Sequence, residues 1–233
     1  MYGMYGYGYG YGFDPTIILV LIGVALSLWA QGRVNSTFSR YSRVRSMTGM
    51  TGAEAARRLL NAQGIYDVTV QPIAGELTDH YDPRTKTVNL SQSVYGATSV
   101  AAIGVAAHEC GHAMQDNEGY APLRFRSALV PAANFGSKLS WPLILLGLVF
   151  GGLGSPLVEI GILMFSLAVL FQLVTLPVEY NASARAVRLL DSQGILAGEE
   201  VSGTRKVLNA AALTYVAAAA TSILQLLRLI ILF

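Results

Sequence analysis

The sequence predicts a mainly α integral membrane protein, with about four transmembrane helices and a small α+β cytoplasmic domain built from two chain segments. Three observations lead there. Of 233 residues, 53% are hydrophobic and only 13% charged, about half the charged share of an ordinary soluble chain and too little to cover a solvated surface. The apolar residues are gathered into four long blocks, and the charges lie between them. Sixteen Lys plus Arg nearly cancel fourteen Asp plus Glu, so the basic excess of a nucleic-acid binder is missing and no nucleic-acid partner is expected. The abundance of apolar residues excludes intrinsic disorder. A single cysteine, Cys110, excludes an intrachain disulfide framework and a Cys-rich metal site.

Residues 1–15 read as a flexible tail, since Met1 to Gly12 alternate Tyr and Gly without an apolar helical period. Residues 16–32 read as the first transmembrane helix. They give about 17 residues without charge, near the lower limit for a bilayer, and Trp29 stands at the end as an interfacial anchor. Asp14 rather than a basic region precedes the block, which argues against a cleaved signal peptide.

Residues 33–127 have the composition of a folded polar segment. Thr51 and Glu54 have capping-box spacing, Leu59 and Leu60 follow, and Gly64 closes that helix. Val68 and Val70 alternate with Thr69 and Gln71 in a strand expected to stop at Pro72. Residues 77–81 and 86–90 flank Asp82-Pro-Arg-Thr85, whose turn chemistry predicts a hairpin. The small-residue run 97–115 reads as a buried core helix, too short in apolar residues to span a membrane.

Residues 128–177 read as a transmembrane hairpin, with Pro131 and Lys138 at an interfacial start and a tight turn at 151–156. Only Glu159 is charged on the return. Residues 178–206 form the second cytoplasmic segment, and 207–233 the last span, where Arg228 is expected to snorkel to the interface. Residues 56–65 closely match 186–195, which reads as two amphipathic helices sharing one glycine-terminated ending.

Basic residues beside spans are retained in the cytoplasm. Arg33, Arg40, Arg43 and Arg45 follow the first block, and Arg185, Arg188, Arg205 and Lys206 lie between the third and fourth. Nothing basic precedes the first block or lies in the turn of the hairpin. Four spans with both termini outside satisfy all these positions, and both polar segments then face the cytoplasm.

Chemistry enters at His108-Glu109-Cys110-Gly111-His112, an HExxH motif. Two histidines four apart share a helix face and can each give an imidazole nitrogen to one Zn²⁺, while Glu109 can act as general base toward a water at that metal. With only three histidines in the chain, chance produces this match in on the order of one comparable sequence in several hundred. Cys110 lies roughly 200° around the helix from His108 and reads as a packed residue.

A hydrolytic zinc needs a third protein ligand, and no histidine follows His112. Asp116 and Glu118 lie too close in sequence to turn back, Asp191, Glu199 and Glu200 sit near a helix end, and Glu159 is across the bilayer. Glu179, at the cytoplasmic end of the third span, remains. A helical continuation puts Ser183 on its face one turn later. The competing reading makes Glu179 an interfacial carboxylate paired with Arg185.

The segments TGAEAARRLL, LTDHYDPRTKTVNLS, AAHECGHAMQ, RSALVPAANFGS and LPVEYNASARA together resemble the YugP-like neutral zinc metallopeptidases of prokaryotic membranes, a family distantly similar to the HtpX-like and CAAX prenyl endopeptidases. The resemblance covers nearly the whole chain after Asp14. It implies a gluzincin-type zinc endopeptidase of the prokaryotic plasma membrane, with His108, His112 and Glu179 as metal ligands, Glu109 as catalytic base and polypeptides as substrates. The chain departs from the HtpX-like pattern in having Ser183 where an Asp is expected four residues after the glutamate, which leaves the partner that orients the ligand histidine open.

His80 or Tyr81 can be read as a donor to a developing oxyanion, or His80 as a histidine that holds its own turn. The competing function is a non-enzymatic zinc-binding membrane protein, a transporter or sensor scaffold. Transporters place ionisable groups inside their spans, and these spans are almost free of them.

Overall fold

A computed structural model describes residues 14–233, so the Tyr/Gly alternation of residues 1–12 lies outside the described part. Four helices are long and apolar enough to cross a membrane: α1 (Ile17–Tyr41), α5 (Ala121–Gly151), α6 (Pro156–Ser192) and α7 (Glu199–Leu232). The protein is a mainly α membrane protein with a small α+β layer. That layer is α2 (Gly52–Ala62), β1 (Thr69–Ile73), β2 (His80–Asp82), β3 (Thr87–Ser91), α3 (Gln92–Tyr95) and α4 (Val100–Asn117).

All four long helices outrun their apolar blocks. α1 continues past Gly32 to Tyr41 because no Gly or Pro interrupts residues 33–41. α6 runs through Pro177 without ending. At 1.5 Å per residue its 37 residues are about 55 Å long, against roughly 30 Å of hydrocarbon. Its C-terminal part, past Leu176, therefore projects from the apolar layer and carries Glu179 and Ser183 into the polar one. α5 likewise absorbs Pro131 and Pro142 inside a single 31-residue helix. Close backbone approach locks the α5–α6 hairpin, since a Cβ on Gly136 would stand 2.5 Å from the Met164 carbonyl oxygen. At the opposite end of α1 and α7, the Arg228 guanidinium donates to Asp14 Oδ2 at 2.8 Å and to Thr16 Oγ1 at 3.2 Å.

The polar layer follows its local signals. Thr51 Oγ1 accepts from the Glu54 N–H and Glu54 Oε2 from the Thr51 N–H, at 3.2 and 2.8 Å, completing the capping box at α2. β2 and β3 form the expected antiparallel hairpin, with His80 opposite Asn89 and Tyr81 opposite Val88. The strand near Val70 does not stop at Pro72 but runs to Ile73, pairing in parallel with β3. In the order β1-β3-β2 it is an edge strand, where the missing proline N–H faces away from the ladder. Central β3 is buried at all five positions.

α4 is the expected core helix. Its face of Val100, Ile103, Ala106, Ala107 and Cys110 joins Leu59 and Leu60 of α2, Leu90 of β3 and Leu190 of α6 in one cluster. The two repeated helix endings feed this cluster together. Gly64 and Gly194 take left-handed φ of 70° and 61°, which turns Ile65 and Ile195 inward to full burial. Arg58 then ties them by donating to the Gln193 carbonyl at 2.9 Å.

Candidate metal centre

Helical spacing puts His108 and His112 on one face of α4, with ring centroids 4.8 Å apart and planes at 83°. Both Nε2 atoms converge on Glu179 Oε2, at 3.3 Å from His108 and 3.5 Å from His112. Two donors each 2.0–2.2 Å from a tetrahedral zinc stand roughly 3.3–3.6 Å apart, so the spacing fits a metal-binding triad. The donors are two imidazoles and one carboxylate, with no thiolate, a set that zinc accepts. Cys110 is buried on the other side of α4, its Sγ 3.6 Å from the Ala56 carbonyl.

Each histidine is held at its other nitrogen. His112 Nδ1 donates to Gln115 Oε1 at 3.0 Å, which leaves the Nε2 lone pair facing Glu179. Gln115 is completely buried and spends its own amide on the Val178 carbonyl and Asn181 Oδ1, both at 2.9 Å. His108 Nδ1 lies 3.1 Å from Ser183 Oγ. Ser183 thus occupies the orienting position that the HtpX-like pattern assigns to Asp, and supplies a neutral hydroxyl where a carboxylate would add charge.

Glu179 does not pair with Arg185. That guanidinium is engaged by Glu118 Oε1 at 2.6 Å and Asn181 Oδ1 at 2.7 Å. The partner is Arg126 on α5, whose Nη1 donates to Glu179 Oε1 at 2.9 Å. The carboxylate is therefore divided, one oxygen to the guanidinium and the other to the imidazoles.

Glu109 shares this site and is 7% exposed. Burial pushes its carboxyl up to about 7, countered in part by the neighbouring His108. Two cavities meet at Glu109, His108, Glu179 and Tyr215. A polar one of about 170 Å³ is lined by Asp79, His80, Tyr81 and Arg126. The other, of about 240 Å³, is walled by Gln31 and Val34 of α1, Val105 of α4, and Leu208, Ala211 and Ala212 of α7. These mostly apolar side chains leave room for an apolar group beside the triad.

Both residues considered as oxyanion donors have other partners. The Tyr81 hydroxyl donates to Asp116 Oδ2 at 2.8 Å, next to Lys86 Nζ on the same oxygen, which fastens the hairpin to the end of α4. His80 bonds to the Thr78 carbonyl and to the Asn89 amide, so it holds its turn. Sequence reasoning missed Gln115, Arg126 and Tyr215. Only Gln115, one turn after His112, had a local signal. Arg126 and Tyr215 reach the site by helix packing alone.

Residues 16–233 match the family model described as "Putative neutral zinc metallopeptidase". The chain is 49% identical over 217 residues to "Putative membrane protease YugP" of Bacillus subtilis (strain 168), covering 93% of this chain and 96% of that protein. No solved structure matches the chain. With the match running from the start of α1 to the last residue, through both segments that build the His108–His112–Glu179 cluster, the chain belongs to this neutral zinc metallopeptidase family.

Proposed function

We propose that the protein is a gluzincin-type zinc endopeptidase that cleaves membrane-associated or juxtamembrane polypeptides at the cytoplasmic face of a prokaryotic plasma membrane. The observation that carries this reading is the convergence of His108 Nε2, His112 Nε2 and Glu179 Oε2 beside a buried glutamate. Those three atoms would hold zinc, which when bound would supply a Lewis acid for the peptide carbonyl and lower the pKa of water. Glu109 takes the proton from the attacking water and returns it to the leaving amine, and its raised pKa suits a group that must both accept and release a proton near neutrality. Ser183 and Gln115 hold the imidazoles in register, and Arg126 fixes Glu179. The Tyr215 phenol lies beside Glu179 on the wall common to both cavities, and in this reading turns to donate to the oxyanion as it develops. The arginines flanking the spans support the cytoplasmic orientation, and the α1–α7 wall of the apolar cavity supports substrates at the membrane.

The test is metal-dependent proteolysis by the full chain in detergent. An unstructured protein substrate is cut, a chelator stops the cutting, and added zinc restores it, with about one zinc per chain. Bound zinc with no cleavage of any polypeptide, together with metal uptake into proteoliposomes, would establish the transporter reading instead. Tyr215→Phe, which keeps the ring and removes the hydroxyl, is expected to lower kcat about 10²–10³-fold with KM and zinc content unchanged. A loss confined to KM would assign Tyr215 to substrate binding.

A further inference from the structure

On the face of α1 and α7 away from the triad, a cleft of about 680 Å³ is lined by Arg33 and Arg40 of α1 and Lys206 of α7, and no carboxylate lines it. Among the described residues, the Lys and Arg side chains that form ion pairs are Arg84, Lys86, Arg126, Arg185 and Arg228, so these three cations have no anionic partner. Arg40 packs its guanidinium over the Tyr41 ring, 5.6 Å from the centroid, which holds it at the cleft wall. Thr37, Tyr180 and Asn209 add polar groups between the charges. Three like charges converging on one hollow repel each other, and an anion relieves that repulsion.

The position of the cleft selects the anion. Ala210 and Leu213 add apolar surface to its lining. One turn toward the apolar end of α1, Leu28 is 69% and Trp29 56% exposed, a surface suited to acyl chains with an aromatic residue at headgroup depth. A ligand that matches both parts is amphipathic, with a phosphate above and hydrocarbon below. We infer that this cleft between α1 and α7 binds the phosphate of an anionic phospholipid, with Arg33, Arg40 and Lys206 as its cationic clamp. Arginine is suited to bidentate phosphate contact and lysine to a point charge, and basic pockets between spans at a bilayer surface are the expected sites for such headgroups. Tyr180, on the cleft wall, follows Glu179 directly in α6, so an occupied cleft abuts the helix turn that carries the metal-facing carboxylate.

The test uses the full chain in a neutral detergent, with bound lipid counted by native mass spectrometry and melting followed as phosphatidylglycerol, phosphatidylcholine or inorganic phosphate is added. Phosphatidylglycerol is expected to bind and raise the melting temperature, phosphatidylcholine and inorganic phosphate to do neither. Each Gln replacement at Arg33, Arg40 or Lys206 weakens phosphatidylglycerol binding roughly fivefold. A control variant, Arg43→Gln/Arg84→Gln/Arg124→Gln, removes equal charge elsewhere and keeps the binding. Retention of the lipid by Arg33→Gln/Arg40→Gln/Lys206→Gln, or its equal loss in the control, overturns the inference. A shift reproduced by inorganic phosphate alone replaces it with a free-anion site. Should the triple variant fail to fold in phosphatidylcholine, the Lys206→Gln affinity decides. None of these readouts depends on proteolysis, so the result stands apart from the proposed activity.

Discussion

Glu109→Gln is expected to abolish peptide-bond cleavage, lowering kcat/KM by about 10²–10⁴-fold, the usual worth of a positioned general base, while the protein still binds about one zinc per chain. The two outcomes separate because Glu109 is not one of the three atoms that converge; those belong to His108, His112 and Glu179. Glutamine keeps the shape and loses the ability to take a proton. The fold should not suffer. Burial raises the Glu109 carboxyl to about 7, which means that the folded metal-free protein disfavours the ionised form. Replacing it by a neutral amide removes that penalty, so the melting temperature of the metal-free variant is expected to equal or exceed that of the parent at pH 8. Zinc analysis, calorimetry and a cleavage assay on one preparation check all three. Loss of zinc together with activity would move Glu109 from base to ligand.

Gly111→Ala is the second large effect, and it comes from a residue that touches neither metal nor substrate. A Cβ at Gly111 would lie 2.5 Å from the Ala182 carbonyl oxygen and 3.0 Å from the Ala182 carbonyl carbon and Cα. These are backbone atoms of α6, which cannot rotate aside as a side chain can. Alanine is the better helix former by about 1 kcal/mol, but forcing two packed helices apart costs about 1–3 kcal/mol, so net destabilisation is expected. The functional effect is larger. Glu179 and Ser183 both meet His108 from the turn of α6 around Ala182, and a metal site tolerates about 0.5 Å of displacement. Zinc affinity is expected to fall tenfold or more, as when orienting partners of ligand histidines are removed. Gly32→Ala, also inside a helix but with nothing within 4 Å of the added carbon, is the matched control: it should leave zinc affinity unchanged and raise stability by up to about 1 kcal/mol. Unaltered zinc affinity in Gly111→Ala would mean that α4 and α6 approach more loosely than the structure has them.

These two positions mark how far a single sequence can be read. The pairing of His108 with His112 beside Glu109 is legible because HExxH is a local pattern: helical spacing alone puts two imidazoles on one face. Apolar run length made the membrane helices legible in the same way, and capping and turn chemistry did so for α2 and the β2–β3 hairpin. Gly111 carries no signal of its own in the sequence, since what it packs against lies in another helix seventy-one residues on. Pro72 was misread for a related reason, because whether a proline ends a strand depends on the strand lying at an edge.

The charge pattern, the helix periods and the HExxH spacing are properties of neighbours along the chain, and they specified a membrane-spanning metal-site protein without any coordinates. Which oxygen of Glu179 faces the histidines, that Ser183 and Gln115 rather than an aspartate orient them, and that Arg126 and Tyr215 stand at the site were decided only when α4, α5, α6 and α7 packed together. Those contacts join residues far apart in sequence, and no local periodicity encodes the distance between them.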